Sequence, residues 1–270
     1  MMYFDNAATT YPKPPQVARA VSSAVTRFGG NPGRSGHAMS LRAAQMVYEC
    51  REKTAELFGC DGTERVIFLK NCTEATNFAI KGYVPEHCHV IISDLEHNAV
   101  SRPVYALSQR AEVSCSVAHV VEGEPEQTVR NFEREIRSGY TKAIITTHAS
   151  NVFGVIVPVE RLYALCESYG LYLIIDAAQT AGVLPIDLKN MPNACLCAAG
   201  HKSLYGPTGT GILVAAPGEL PQTVIEGGTG SFSEDLTQPD LLPDRLESGT
   251  VNTVGICGLS AGIDFVRKTG

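Results

Sequence analysis

Hydrophobic positions in this chain follow two periods that take turns. Short, nearly continuous apolar runs occupy 66–69, 89–93, 113–117, 143–147, 171–175, 194–199 and 212–216. Runs of this length without alternation predict strands buried on both faces. Between and around them, apolar residues recur at helical spacing. The first such stretch carries Val17, Val21, Ala24, Val25 and Phe28 behind Pro14 and Pro15, which suit a first helical turn. Others cover about 40–58, 73–83, 98–110, 124–138 and 158–169, and a final helix carries Ile256, Leu259, Ile263 and Val266. Asn71 and Glu74 are spaced like a capping box at the head of the third helix. Alternating strands and helices predict an α/β fold: a mostly parallel, seven-stranded sheet with helices on both faces.

Ligands of such sheets bind at the carboxyl ends of the strands. Thr73, His97, Asn151, Asp176, Gln179, His201 and Lys202 all fall just after separate predicted strands. Each alone has an ordinary explanation as a cap, turn or surface group; their repeated placement marks one end of the sheet. Lys202 is the most telling. It follows the buried run 194–199 and precedes a loop punctuated by Gly206, Gly209 and Gly211. Burial lowers the pKa of a lysine and makes its amine a nucleophile fit for a Schiff base. A phosphate-binding P-loop fails here because Ile212 stands where the lysine should be, and a dinucleotide fingerprint fails at Val214. On this stretch alone, a hairpin turn with an incidental His-Lys explains the pattern equally well. Arg34 and His37 are polar groups in or beside the glycine-rich loop 29–36, which reads as a surface loop.

Composition narrows the function classes. The chain has 270 residues, 44% hydrophobic and 19% charged, with a net charge of −6 and no Lys/Arg block. Nucleic-acid and anionic-membrane binding are therefore disfavoured. No leader-like segment and no membrane-length apolar run is seen, so a cytoplasmic location is expected. Nine irregularly spaced cysteines predict reduced thiols rather than a disulfide framework. Cys195-Leu-Cys197 and His87-Cys88-His89 lack zinc-site spacing, so no metal is expected.

A strand-end aspartate, a strand-end lysine and a helix N-terminus bearing hydroxyls suit pyridoxal 5′-phosphate (PLP). That cofactor needs a lysine for its aldehyde, an acid for its ring nitrogen and a helix N-terminus for its phosphate. With Asp176-Ala-Ala-Gln179 and Gly200-His-Lys-Ser-Leu-Tyr-Gly-Pro-Thr-Gly209 as the strongest motifs, the sequence resembles the cysteine desulfurases of the class V aminotransferase group, which are fold-type I PLP enzymes. Thr73-Glu-Ala-Thr-Asn77, Glu96-His97, Ser150-Asn-Val-Phe-Gly154 and Ser248-Gly-Thr-Val-Asn252 match in the same order. The resemblance runs from Asp5 to the last helix.

The resemblance implies roles. Lys202 would hold the cofactor aldehyde and move the substrate α-proton. Asp176 would pair with the ring nitrogen. His97 would stack on the ring and assist proton transfer. Gln179 and Asn151 would approach the ring hydroxyl, and Thr73 and His201 the phosphate. Thr250 would reach the phosphate of a second subunit, implying a homodimer, and Arg34 and His37 would lie near the substrate. Cysteine would be the substrate and a sulfur-acceptor protein a possible partner. Residues 1–15 would belong to a small domain, 16–255 to the PLP-binding large domain and 256–270 to a helix leading onward. Two departures accompany these matches. Ala199 replaces a serine that many family members use for the phosphate. The C-terminal small domain, which carries the carboxylate-gripping arginine and the nucleophilic cysteine, has no counterpart, so this chain is expected not to complete sulfur transfer. Rival readings are another class V enzyme (a selenocysteine lyase, aminotransferase or epimerase) and a non-catalytic dimeric scaffold.

Overall fold

Seven strands form one sheet in the order β1-β7-β6-β5-β4-β2-β3. They are β1 (Val66–Leu69), β2 (Cys88–Ser93), β3 (Val113–Ala118), β4 (Thr141–Thr147), β5 (Tyr172–Asp176), β6 (Ala194–Ala199) and β7 (Gly211–Val214). β7 runs antiparallel to both its neighbours, and all other pairs are parallel. The computed structural model describes residues 2–33, 36–218, 220–232 and 234–269. The expected strands and the mostly parallel sheet are all present.

The strands are apolar throughout because successive side chains enter two different cores. Ile144, Leu173, Ile175, Leu196 and Ala198 pack on one face, and Ile145, Ile174, Cys195 and Cys197 on the other. The first face is covered by α2 (Ala38–Leu57), α5 (Pro125–Glu135), α6 (Val159–Tyr169) and α7 (Thr253–Thr269), through residues such as Val47, Phe132, Leu162 and Leu259. The second is covered by α3 (Cys72–Tyr83) and α4 (Asn98–Gln109), through Phe78, Ile80, Val100 and Val104. Each such side chain contributes about 1.5–3 kcal/mol on burial. α1 (Pro15–Arg27) packs against α7.

Element ends depart from the apolar pattern where side chains cap the backbone. α7 begins at Thr253, ahead of its first large apolar side chain on the core face, because Asn252 Oδ1 accepts from Gly255 N at 2.9 Å. α5 stops at Glu135; Thr141 Oγ1 accepts from Arg137 N at 2.8 Å and turns the chain into β4. α6 ends on Gly170 at φ 64°, a left-handed cap that glycine adopts without strain.

Candidate active site

The crossovers bring the strand-end residues to one place. β5 delivers Asp176, the loop 200–210 between β6 and β7 delivers His201 and Lys202, and the turn after β4 delivers Asn151. His97 caps α4 and Thr73 lies in the first turn of α3. Together with Gln179 they line one cavity of about 220 Å³. The 200–210 loop does join two antiparallel strands, so it is a wide hairpin connection and the carrier of the lysine at once.

Asp176 is 3% exposed. Its Oδ1 accepts from Ala178 N at 2.9 Å and from the Cys72 thiol at 3.4 Å. No hydrogen bond from the described residues reaches Oδ2. The head of α3 is set by Asn71, whose Oδ1 accepts from Glu74 N at 2.8 Å. Glu74 reaches back to Lys70 N, at 2.7 Å, one residue earlier than a capping box would have it. No hydrogen bond from the described residues claims the amides of Cys72 and Thr73, which makes this helix end a ready anion site. Gly211 at the start of β7 permits this arrangement: a Cβ there would lie 2.4 Å from the Asn71 carbonyl.

The lysine loop is clamped by the N-terminal segment. The carbonyl of His201 accepts from Thr9 Oγ1 at 3.1 Å, from Thr10 N at 3.2 Å and from the Lys13 ammonium. His201 Nδ1 also lies 3.0 Å from Thr9 Oγ1. Burial, then the charges of Lys202 and Lys13, hold the His201 pKa below its ordinary value, so the ring is neutral at pH 7. Gln179 Nε2 donates to Ala7 O at 3.1 Å. The Lys202 amine has no hydrogen-bond or ion-pair partner among the described residues. His97 Nδ1 accepts from Ala99 N at 3.0 Å, so a neutral ring carries its proton on Nε2.

Two expected residues lie apart. His37 caps α2, accepting from Ser40 N at 3.2 Å, and is exposed away from the cavity. Thr250 Oγ1 accepts from Asn31 Nδ2 at 3.2 Å and lines a separate cleft with Lys70, Glu74 and Asn252. Arg34 lies outside the described residues. Two groups at the site carry no role from the sequence. Glu96 follows β2 with its Oε2 buried, and Cys72 supplies the thiol on Asp176. A charged residue beside His97 and a cysteine in a turn give no local signal of burial against Asp176. All nine cysteines are unpaired. Among the described residues no cluster of three or more metal-ligating side chains is found, and no helix is long and apolar enough to cross a membrane.

A carboxylate oxygen, an amine and a helix N-terminus, none with a partner among the described residues, meet at one cavity, a set that suits PLP. Known proteins are similar to the chain in sequence and in fold. A "Probable cysteine desulfurase" of Methanothermobacter thermautotrophicus is 31% identical over all of this chain and 67% of its own length. The apo structure of a cysteine desulfurase from Thermococcus onnurineus NA1 superposes with a TM-score of 0.89 at 27% identity, covering 100% of this chain and 68% of that one. SspA in complex with cysteine superposes with a TM-score of 0.83 at 25% identity, covering 98% and 72%. The chain spans 40% to 68% of the length of the curated cysteine desulfurases it matches. The class-V aminotransferase family model matches residues 2–270. The chain therefore belongs to the class-V aminotransferase family and resembles its cysteine desulfurases along its whole described length.

Proposed function

We propose that this chain is the PLP-binding large domain of a cysteine desulfurase-like enzyme, cytoplasmic and homodimeric, that takes the sulfur of L-cysteine and leaves alanine. The observation that carries the reading is the convergence of Asp176 Oδ2 and the Lys202 amine, both without partners among the described residues, on one cavity that also meets the head of α3. The residues fit the cofactor. Thr73, the amides of Cys72 and Thr73, and His201 would hold its phosphate, Asp176 its ring nitrogen, Lys202 its aldehyde, and Asn151 and Gln179 its hydroxyl side. When bound, PLP supplies a protonated ring that accepts electron density from the substrate α-carbon.

The chain's own groups do the rest. With the cofactor held there, Lys202 Nζ would be the base that takes the substrate α-proton. Asp176 Oδ2 would hold the proton of the ring nitrogen. His97, with its proton on Nε2, donates from the mouth of the site. The Thr9–Thr10–Lys13 clamp fixes the loop that aims Lys202. Sulfur transfer needs a thiolate, and Cys72 does not supply it: burial first, then the charge of Asp176, holds its thiol well above the ordinary value. The nucleophile of this reading, like the substrate-gripping arginine, comes from a second domain to which residues 1–15 would also contribute. Thr250, lying off its own chain's cavity, suits a role toward the cavity of a second subunit.

The test is the visible absorption of the purified chain with PLP, before and after cysteine. We expect a lysine-bound cofactor band that shifts on adding cysteine and is lost in Lys202→Ala. A folded chain that gives no band would overturn the reading.

A further inference from the structure

Cys72 stands in the cavity wall, 8% exposed, as the first residue of α3. Its Sγ lies 3.4 Å from Asp176 Oδ1. The other side-chain oxygen near it, Thr76 Oγ1, is 4.0 Å away, and that hydroxyl already donates to Cys72 O at 2.9 Å. A carboxylate only accepts, so the Cys72 S–H donates to Asp176 Oδ1. Oδ1 thus receives two donors from two elements: Ala178 N, from the turn after β5, and the thiol, from the head of α3. With Oδ1 occupied, the carboxylate cannot rotate without giving up both bonds, and Oδ2 remains for a ligand.

We propose that Cys72 is a positioning residue whose thiol holds the Asp176 carboxylate with Oδ2 presented to the ring nitrogen of the cofactor. The inference rests on the PLP reading above. Burial keeps the thiol protonated, which suits a permanent donor and disqualifies a nucleophile. Cys197, also buried near Asp176, does not duplicate the role: no hydrogen bond joins it to Asp176 among the described residues.

The test combines a cofactor titration with a measurement that needs no cofactor. PLP affinity is read from the visible band in the wild type, Cys72→Ala and Cys72→Ser, and again with each change placed on Asp176→Ala. Loss of one modest hydrogen bond predicts a dissociation constant raised about fivefold in Cys72→Ala and, because serine keeps a donor, changed by less than about twofold in Cys72→Ser. On Asp176→Ala the same Cys72→Ala change should have no further effect. An equal loss in both backgrounds, or no rescue by serine, would mean that Cys72 merely fills space and would overturn the inference. In the cofactor-free protein, the infrared S–H stretch of Cys72, isolated by difference from Cys72→Ala, should move toward that of an unbonded thiol in Asp176→Ala. An unmoved band would overturn the inference whatever the cofactor does. A wild type that shows the infrared shift but binds no PLP would instead refute the cofactor reading and, with it, the presentation of Oδ2 to a ring.

Discussion

Replacing Glu96 by glutamine should make the protein more stable at alkaline pH and leave it nearly unchanged at acid pH. Glu96 Oε1 accepts from the Ser93 hydroxyl and, at 2.8 Å, from Thr147 N. Oε2 is buried with no partner. Burial foremost, with the nearby charge of Asp176 adding to it, pushes the carboxyl from its ordinary value of 4.5 up to about 8. The proton belongs on Oε2, the oxygen that no donor reaches. Between those two values the native chain holds a proton that the unfolded chain has released, so this group's contribution to stability falls as pH rises. The slope reaches about 1.4 kcal/mol per pH unit midway and flattens near each end, so the change integrates to about 3.5 kcal/mol between pH 5 and 8. The glutamine side chain would keep the Oε1 acceptor and carry no charge at any pH. Urea unfolding followed by circular dichroism at pH 5, 6, 7 and 8 measures the difference between the two proteins. His89, His148 and His201, whose pKa values burial lowers, add an opposite trend below their ordinary value, but it is common to both proteins and cancels. Parallel stability curves would show that Glu96 ionises normally and would refute the reasoning.

Arg51→Ala should destabilise the fold by about 3–5 kcal/mol in chemical denaturation, because it removes the guanidinium that stacks on the Phe68 ring and strands the Glu247 carboxylate, whose side chain is only 6% exposed. In the intact protein that carboxylate takes both guanidinium nitrogens and the Phe68 amide; a loss under about 1 kcal/mol would refute this account. Gly211→Ala forces a Cβ to within 2.4 Å of the Asn71 backbone, so it should lower the melting temperature, through an overpacking penalty of about 1–3 kcal/mol, and weaken PLP binding by displacing the head of α3. Unchanged melting with full cofactor binding would show that α3 is not positioned through this contact.

The strands were legible because burial on both faces leaves nothing polar inside them: Ile144 and Ile145 are neighbours in sequence and belong to different cores. The cavity was legible for a related reason. Once the strands end, the next polar residue meets the carboxyl edge of the sheet, which is where Asp176, His97 and Lys202 stand. Helix limits were less legible because they answer to single side chains such as Asn252 and Thr141 rather than to a period. The opening Asp5-Asn-Ala-Ala-Thr-Thr10 reads locally as a polar turn, yet Ala7, Thr9 and Thr10 bond to Gln179 and His201 across most of the chain. No local pattern announces a contact of that range. His37 is a related case: the resemblance implies a place near the substrate, and no local pattern announces that its Nδ1 caps the first turn of α2.

Glu96 and Cys72 mark where sequence reading stops, and for the same physical reason. Each is defined by a partner from a distant element: Thr147 at the end of β4 for Glu96, and Asp176, 104 residues on, for Cys72. The parallel register sets Thr147 directly opposite Asp176, so the two carboxyl side chains share one corner of the sheet. Two negative charges there would repel each other in a dry environment. Hydrogen bonds do not distinguish the two carboxyls, since each takes two donors on one oxygen and none from the described residues on the other. What burial does is raise the Glu96 pKa, so that its free Oε2 carries a proton and no second charge is added beside Asp176. Glu96 is thereby an uncharged brace between the ends of β2 and β4, and Asp176 is the carboxyl that lines the cavity.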